Sequence, residues 1–277
     1  MADFDDVELT RAVQASFAST PDARTRELVE KLIAHLHGYV RDAKPSFDEW
    51  LAAIEFLTRA GHMSGPTRQE LILLSDVLGV SMLVDALGHT GGFGATDTTV
   101  LGPFYVGEHR VLPLGADLAQ GLRGDPLAVH VTVRDTSGAA IAGATLDVWQ
   151  ADADGFYDVQ KPDYSPDTPS LRARFISDAA GACWFRTIVP CSYPIPTDGP
   201  VGDLLRATRR TPMRPAHIHF MISAPGTQTL ITHVFVAGDP YLGSDAVFGV
   251  KPSLIAELAD EGDHKRLDYG FVLKGAS

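Results

Sequence analysis

The sequence predicts an α+β protein in which an N-terminal helical domain precedes an antiparallel β-sandwich domain. Up to about residue 90, apolar residues recur at the spacing of three and four that places them on one helix face. From about residue 98, short alternating segments are separated by turn sequences, with no helical pattern between them, which is typical of a sandwich. We therefore expect domains at residues 1–95 and 96–277, divided by the glycine-rich segment Gly91–Gly94.

Three helices are expected in the N-terminal domain. The first covers Ala23–Tyr39, with Thr20 as its N-cap and Pro21 in its first position. The other two begin at capping-box sequences, Ser46–Glu49 and Thr67–Glu70. Each helix has one apolar face, so each is expected to pack against a neighbour.

Short alternating segments predict the strands of the second domain, and turns that contain aspartate and glycine divide them. A short helix near Ser253–Leu258 is expected before the last strand. The expected strands are Val129–Val133, Ala144–Trp149, Arg174–Ile176, Cys183–Val189, His217–Ser223, Leu230–Phe235 and Tyr269–Leu273.

The charge balance excludes two classes of partner. Lysine and arginine total 23, against 35 for aspartate and glutamate, so the net charge is -12. Nucleic acids and anionic membranes attract basic surfaces, and we expect neither as a partner. A small anionic substrate held by one arginine is compatible with this balance.

The cysteine content and the apolar stretches indicate a cytoplasmic protein. Two cysteines, Cys183 and Cys191, do not make a disulfide framework in a chain of this length. The acidic N-terminus lacks the apolar core of a signal peptide. The most apolar stretch, Leu71–Leu87, is interrupted by Asp76 and Asp85, and we expect it to be too short to span a bilayer.

Two histidines stand one residue apart in a predicted strand, within Arg214–Phe220. Pro215 disfavours a helix there, and the residues that follow alternate as a strand does. Residues two apart on a strand point to the same face, so His217 and His219 would present two imidazoles to one metal ion. The motif by itself is equally compatible with two half-buried structural histidines.

Two of the seven tyrosines lie beside turns. Tyr157 follows the turn Asp152–Gly155, and Tyr193 lies in the proline-rich loop Pro190–Pro196. Rigid loops on a scaffold are common places for binding sites. Either tyrosine taken alone is also compatible with a packed residue whose hydroxyl is hydrogen-bonded.

Four stretches of the chain together resemble the intradiol ring-cleavage dioxygenases. Their order and spacing match the family, and the resemblance covers nearly the whole chain. It implies an enzyme that uses O2 to break the bond between two adjacent hydroxylated carbons of an aromatic ring. The stretches are Leu101–Tyr105, Asp147–Asp152 with Gly155–Tyr157, Thr187–Pro190 with Tyr193–Pro194, and Arg214–His219.

The resemblance implies one ferric ion per subunit as the cofactor. Its ligands would be Tyr157, Tyr193, His217 and His219. Phenolate oxygens suit a hard and highly charged cation better than thiolates do.

The resemblance also implies catalytic roles for three residues. Tyr193 would accept a proton from the substrate, and Arg214 would stabilise negative charge on the bound ring. Arg214 is also compatible with a structural role as the partner of an acidic residue. His233 stands where catechol-cleaving members have a glutamine. Its role is open between orienting Arg214 or the substrate and simple packing.

The substrate pocket that the resemblance implies is mostly apolar, as an aromatic ring requires. Asp76 is the exception. It is either a solvated helix residue or the acceptor for a third ring hydroxyl, a contact that discriminates strongly between substrates. The matching positions are Leu73, Asp76, Val100, Leu101, Pro103, Phe104, Ile195, Pro196 and Val247.

Asp76 and the segment Tyr241–Lys251 resemble the hydroxyquinol 1,2-dioxygenase branch of the family. There the substrate is benzene-1,2,4-triol, and the product is 3-hydroxy-cis,cis-muconate, which tautomerises to maleylacetate. Catechol or a chlorocatechol, giving a cis,cis-muconate, is the alternative. The family resemblance further implies a homodimer formed through the N-terminal helices, with a phospholipid at the interface in some members.

Two interpretations outside the family are open from the residues alone. A zinc hydrolase would use His217, His219 and His233 around an activated water, but it gives Tyr157 and Tyr193 no role. A non-catalytic sandwich module, which binds carbohydrate or resembles transthyretin, would need no metal.

Overall fold

The computed structural model describes residues 5–65, 68–88, 94–107 and 110–276, and it has the expected order of helices followed by sheets. The chain divides into two compact units, residues 1–59 and 60–277. The predicted boundary between a helical domain and a sandwich domain near residue 95 stays a prediction. The α-helices are α1 (Asp6–Ala15), α2 (Ala23–Ala43), α3 (Phe47–Met63), α4 (Glu70–Val77), α5 (Val80–Gly88) and α6 (Pro200–Ala207).

The predicted N-cap of α3 is confirmed, and the predicted N-cap of α2 is wrong. At α3, the Glu49 amide donates to Ser46 Oγ at 3.2 Å and the Ser46 amide donates to the Glu49 carboxylate at 2.7 Å, which is the predicted capping box. At α2 the N-cap is Asp22, whose carboxylate accepts from the Thr25 amide at 2.7 Å. The prediction of Thr20 is therefore wrong, because the acidic side chain nearer the helix satisfies the free amide.

The start of α4 lies beside α6, which the sequence pattern did not predict. Thr67, the predicted cap, lies outside the described residues, and Gln69 at the N-cap makes no side-chain cap bond. Glu70 is fully buried, and its carboxylate accepts from Arg68 at 2.9 Å and from the Val201 amide at 3.0 Å. This carboxylate therefore connects the first turns of α4 and α6.

The strands form two main sheets, with orders β10-β11-β1-β4 and β3-β2-β7-β8-β9, and a two-stranded ladder β5-β6. The strands are β1 (Pro126–Asp135), β2 (Thr145–Trp149), β3 (Arg172–Ile176), β4 (Ala182–Ile188), β5 (Tyr193–Pro194), β6 (Met213–Arg214), β7 (His217–Ser223), β8 (Leu230–Val236), β9 (Ile255–Ala256), β10 (Leu258–Asp260) and β11 (Lys265–Leu273).

The sheets are mixed rather than purely antiparallel. Most neighbouring strands are antiparallel, as predicted, but β1 pairs with β11 and β8 pairs with β9 in parallel. The predicted helix at Ser253–Leu258 is also wrong. Pro252–Leu254 forms a single 3₁₀ turn, and β9 and β10 follow it.

Alternating apolar residues of both sheets form one core. Val129, Leu146, Phe175, Ile218 and Phe271 are all buried in it. Burying one such side chain contributes about 1.5–3 kcal/mol, so this core holds β2 and β7 rigidly, and both strands lead into the site described below.

Within the described part of the chain, no single helix is long and apolar enough to cross a membrane. The pair α4 and α5, bent by 75° at its break, meets that criterion by length and composition only.

Candidate active site

His217 and His219 lie on β7 and are both buried, as the alternation predicted. The Nε2 atoms of the two rings are 3.1 Å apart. Trp149 on β2 stacks on His219 with ring centroids 4.6 Å apart, and His233 on β8 is the cross-strand partner of His219. Neighbours on both sides therefore fix the two imidazoles on one face of the sheet.

Tyr157 reaches these histidines from the turn after β2. Its backbone amide donates to the Gln160 side chain at 2.8 Å, at the start of a 3₁₀ turn. Gly155 in the preceding turn has φ 86°, and a Cβ there would lie 2.8 Å from Tyr193 Cβ. Only glycine allows both this backbone conformation and the close approach of the two tyrosine segments.

Tyr193 is positioned by the short ladder between β5 and β6. In this ladder it is the cross-strand partner of Arg214. Tyr193 and Arg214 are 4% and 3% exposed. One backbone ladder thus places the second phenol and the guanidinium beside the histidines.

The four predicted metal ligands converge on one point. Tyr157 Oη lies 2.9 Å from Tyr193 Oη and 2.8 Å from His219 Nε2. His217 Nε2 lies 3.4 Å from Tyr193 Oη and 3.1 Å from His219 Nε2. We call these two oxygens and two nitrogens the donor cluster.

Burial favours the uncharged form of every group in the donor cluster. Loss of solvation raises the pKa of Tyr157 well above its usual value and also raises the pKa of Tyr193. Loss of solvation and the nearby Arg214 charge lower the pKa of His217 well below 6.5. The pKa of His219 is lowered well below 6.5 by burial first and then by neighbouring rings. Two phenol oxygens and two neutral imidazole nitrogens therefore face one another.

The donor cluster fits a hard metal cation. His217 Nδ1 lies 2.6 Å from the Pro215 carbonyl oxygen, and only a protonated Nδ1 can donate to it. Nε2 is therefore the unprotonated nitrogen of His217, the atom whose lone pair would bind a metal. Two phenol oxygens beside two imidazole nitrogens are a donor set that suits ferric iron, and binding would displace the phenol protons.

Arg214 is a buried cation whose partner sequence reasoning missed. Its Nε donates to Asp245 Oδ1 at 3.2 Å. Burial, the largest effect, lowers the pKa of Arg214, but Asp245, Tyr193 and Tyr157 together raise it above its usual value. Its Nη1 and Nη2 lie 3.2 Å from His217 Nε2 and 3.3 Å from His233 Nδ1. Asp245 belongs to the Tyr241–Lys251 segment, but no local pattern assigned it a role.

His233 is fully buried and lies within the same group of side chains. One ring nitrogen each of His217, His219 and His233 lies within 4.8 Å of the others. The contact of His233 with Arg214 agrees with the orienting role considered above, and its buried position also agrees with packing.

A cavity beside the donor cluster brings together eight of the nine predicted substrate residues. Leu101 is absent from its wall and is 36% exposed. Its neighbour Gly102, which has φ 78°, lines the cavity instead. The lining is Leu73, Asp76, Val100, Gly102, Pro103, Phe104, Tyr193, Ile195, Pro196, Arg214 and Val247.

Asp76 is buried in this wall rather than solvated. It is 3% exposed at the end of α4. Burial raises its pKa, while a hydrogen bond from Ser81 and the Arg214 charge act in the opposite direction. A carboxyl group held in an otherwise apolar wall is a specific polar contact for a ligand.

A buried ion pair near Tyr157 was not predicted. Asp158, the next residue, lies 2.6 Å from Arg172, which also donates to the Phe104 carbonyl at 3.0 Å. The Phe104 ring stacks on Tyr157 with centroids 4.6 Å apart. Through Arg172, the ion pair connects the segment that carries Tyr157 with the segment that carries Phe104.

A wider groove leads to this cavity and shares five of its lining residues, Leu73, Pro103, Phe104, Ile195 and Pro196. The cavity and the groove are therefore adjacent.

Comparisons with known proteins identify the family of the chain. A family described as "Dioxygenase" matches residues 102–275, and one described as "Catechol dioxygenase N terminus" matches residues 22–95. A 6-chlorohydroxyquinol 1,2-dioxygenase of Cupriavidus pinatubonensis is 49% identical, covering 99% of each chain. A hydroxyquinol 1,2-dioxygenase of Rhodococcus opacus is 50% identical, covering 91% of this chain and 84% of the relative.

A solved structure gives the same result for the fold. The hydroxyquinol 1,2-dioxygenase of Pseudomonas putida superposes with a TM-score of 0.91 and 42% identity, covering 98% of this chain and 99% of that one. Sequence, fold and the geometry of the donor cluster therefore agree, and the chain belongs to the intradiol ring-cleavage dioxygenase family.

Proposed function

We propose that this enzyme cleaves hydroxyquinol, benzene-1,2,4-triol, with O2 between its two adjacent hydroxylated carbons. The product would be 3-hydroxy-cis,cis-muconate, which tautomerises to maleylacetate. The observation that carries this choice is the buried Asp76 in the cavity wall. Family membership leaves the zinc hydrolase and the non-catalytic module without support.

Asp76 supports a triol over a diol because it is the polar exception in an apolar wall. A catechol would leave this buried carboxyl group with the Ser81 hydrogen bond alone, and incomplete hydrogen bonding of a buried polar group costs up to about 3 kcal/mol. The third hydroxyl of hydroxyquinol would donate to it. The names of the similar enzymes from Cupriavidus pinatubonensis and Rhodococcus opacus agree with a hydroxylated catechol.

The proposed cofactor is one ferric ion per subunit, held by Tyr157, Tyr193, His217 and His219. When bound, ferric iron supplies a Lewis acid that makes the adjacent ring hydroxyls acidic near neutral pH. The convergence of the four buried donors supports this assignment.

The protein's own groups then act on the ring. Tyr193 lines the cavity and belongs to the donor cluster, so its phenolate oxygen is in position to accept a proton from a ring hydroxyl. Arg214 lines the same cavity and would hold negative charge on the deprotonated ring. Leu73, Val100 and Phe104 would exclude water from the ring faces.

The apolar surface of α2 supports a homodimer through the N-terminal helices. Leu28, Leu32 and Leu36 recur at a spacing of four and are each half exposed in the single chain. Such a stripe requires a covering partner, either a second copy or an apolar ligand such as a phospholipid. The two free cysteines, Cys183 and Cys191, agree with a reducing, cytoplasmic location.

The test is oxygen uptake by the iron-loaded enzyme with hydroxyquinol, 6-chlorohydroxyquinol and catechol, together with a visible spectrum before and after anaerobic substrate. A phenolate-to-iron band that the triol perturbs, and a higher kcat/KM for the triol, are expected. A higher kcat/KM for catechol would retain the enzyme class and overturn the substrate. A protein that binds zinc but not iron would overturn the proposed cofactor.

A further inference from the structure

The Arg214 guanidinium is paired with a carboxylate through its Nε, which donates to Asp245 Oδ1 at 3.2 Å. Both side chains are almost fully buried, at 4% and 2% exposed. A buried guanidinium without a carboxylate partner is strongly disfavoured. Among the residues that the structure describes, Asp245 is the carboxylate within ion-pair distance of Arg214.

The Asp245 carboxylate is itself fixed by the loop that follows it. The Val247 amide donates to Oδ1 at 3.3 Å and the Gly249 amide donates to Oδ2 at 2.9 Å. Each oxygen therefore has a backbone donor, and the carboxylate has little freedom to rotate. The same loop places Val247 in the cavity wall.

Use of the Nε atom leaves the terminal nitrogens of Arg214 for the site. Nη1 lies 3.2 Å from His217 and Nη2 lies 3.3 Å from His233. If Asp245 took the terminal nitrogens instead, the two N–H groups that face the donor cluster would be engaged elsewhere. The direction of the guanidinium thus depends on which atom Asp245 holds.

The position of Asp76 gives the pairing of Arg214 with Asp245 a further importance. It lines the same cavity as Arg214, and the Arg214 charge acts on it. Without Asp245, Arg214 would have Asp76 as an alternative carboxylate. A new pair between them would remove the charge from the ring and the acceptor from the third hydroxyl.

We propose that Asp245 is a positioning residue, which holds Arg214 by Nε so that its terminal nitrogens face the donor cluster and Asp76 stays available to substrate. This inference rests on the proposed role of Arg214. It goes beyond that role in assigning the residue that sets the direction of the guanidinium.

The test is a double-mutant cycle on the iron-loaded enzyme with Asp245→Asn, Arg214→Ala and the double variant. Asp245→Asn keeps the shape of the side chain and removes its charge. We expect kcat for hydroxyquinol to fall about tenfold or more, with iron content and the visible band unchanged. In the Arg214→Ala background the same substitution should cost nothing further. Asp260→Asn, which breaks an exposed pair with Lys265, is the matched control and should retain kcat.

The possible outcomes separate this inference from the proposed function. An unchanged kcat in Asp245→Asn, or an equal loss with and without Arg214, would overturn the positioning role alone. Full turnover in Arg214→Ala would instead overturn the proposed role of Arg214.

A second variant preserves the test if Asp245→Asn does not fold or bind iron. A Cβ at Gly249 would lie 3.2 Å from Asp245 Oδ2 and 3.3 Å from Arg214 Nη2. Gly249→Ala therefore displaces the pair slightly while it keeps both charges. A severalfold lower kcat that disappears in the Arg214→Ala background supports the proposal, and an unchanged kcat overturns it.

Discussion

Tyr157 Oη lies 2.9 Å from Tyr193 Oη, although one tyrosine follows a turn after β2 and the other lies on β5. The two are not equivalent. Tyr193 lines the cavity beside the donor cluster, whereas Tyr157 is fully buried and its ring stacks on Phe104. We infer that Tyr157 mainly holds the metal and that Tyr193 also meets the substrate.

Replacing Tyr157 by phenylalanine should cost the enzyme its iron or its colour. The change removes an oxygen that contacts both Tyr193 and His219 and leaves the packing volume nearly unchanged. Iron content and the visible absorption spectrum measure the result. Tyr269→Phe on β11 removes a hydroxyl that donates to the Ser253 carbonyl and should retain both. Full activity and colour in Tyr157→Phe would refute its role as a ligand.

Replacing Arg214 by alanine should leave iron bound and lower turnover. The guanidinium is not a cluster donor, but it is a cation in the cavity wall, and loss of such a group costs about a hundredfold in kcat. Metal analysis and oxygen uptake separate the two effects. Arg206→Ala, which removes an exposed pair with Asp203, is the matched arginine control. Unchanged turnover would show that Arg214 has a structural role instead.

Replacing Asp76 by alanine or asparagine should change the choice of substrate. If the carboxyl group accepts from the third hydroxyl, kcat/KM for hydroxyquinol falls relative to catechol by about tenfold to a hundredfold. Catechol serves as the internal control because it lacks that hydroxyl. An unaltered ratio in both variants would remove the reason for naming the triol.

The parts of the site that lie on one strand were predictable from the sequence. The alternation in His217–Ser223 predicted the strand and the shared face of His217 and His219, because strand period is a local property. The two tyrosines and most of the cavity wall came from family resemblance instead. Their convergence depends on tertiary contacts that no local pattern encodes.

Three of the features that sequence reasoning missed involve pairing over long separations. These features are the pairing of β5 with β6, the hydrogen bond from Arg214 to Asp245, and the parallel pairing of β11 with β1. Each joins segments that are distant in the sequence. Leu101 was predicted from its match to the family, and such a match does not determine which way adjacent residues point. The short helix α6 begins with Pro200. Proline in the first position is a helix-start pattern that the sequence contains but that was not used.

The metal-free protein should lose stability as the pH falls from 7 to 5. The pKa values of His217, His219 and His233 are lowered well below 6.5, mainly by burial. Below 6.5 the unfolded chain takes up protons that the folded site does not, so the free energy of unfolding decreases. Each histidine contributes up to about 1.4 kcal/mol per pH unit. The phenols of Tyr157 and Tyr193 contribute nothing in this range, because raised pKa values keep them protonated in both states.

Urea unfolding of the iron-free enzyme at several pH values measures this dependence. His233→Gln removes one buried imidazole that lies outside the proposed ligand set, and it should reduce the slope by about the contribution of one histidine. The pH dependence would then be traced to the buried rings rather than to the acidic surface, which titrates lower. Equal slopes for the wild type and His233→Gln would show that His233 takes up a proton in the folded protein, and its burial beside Arg214 would need another explanation.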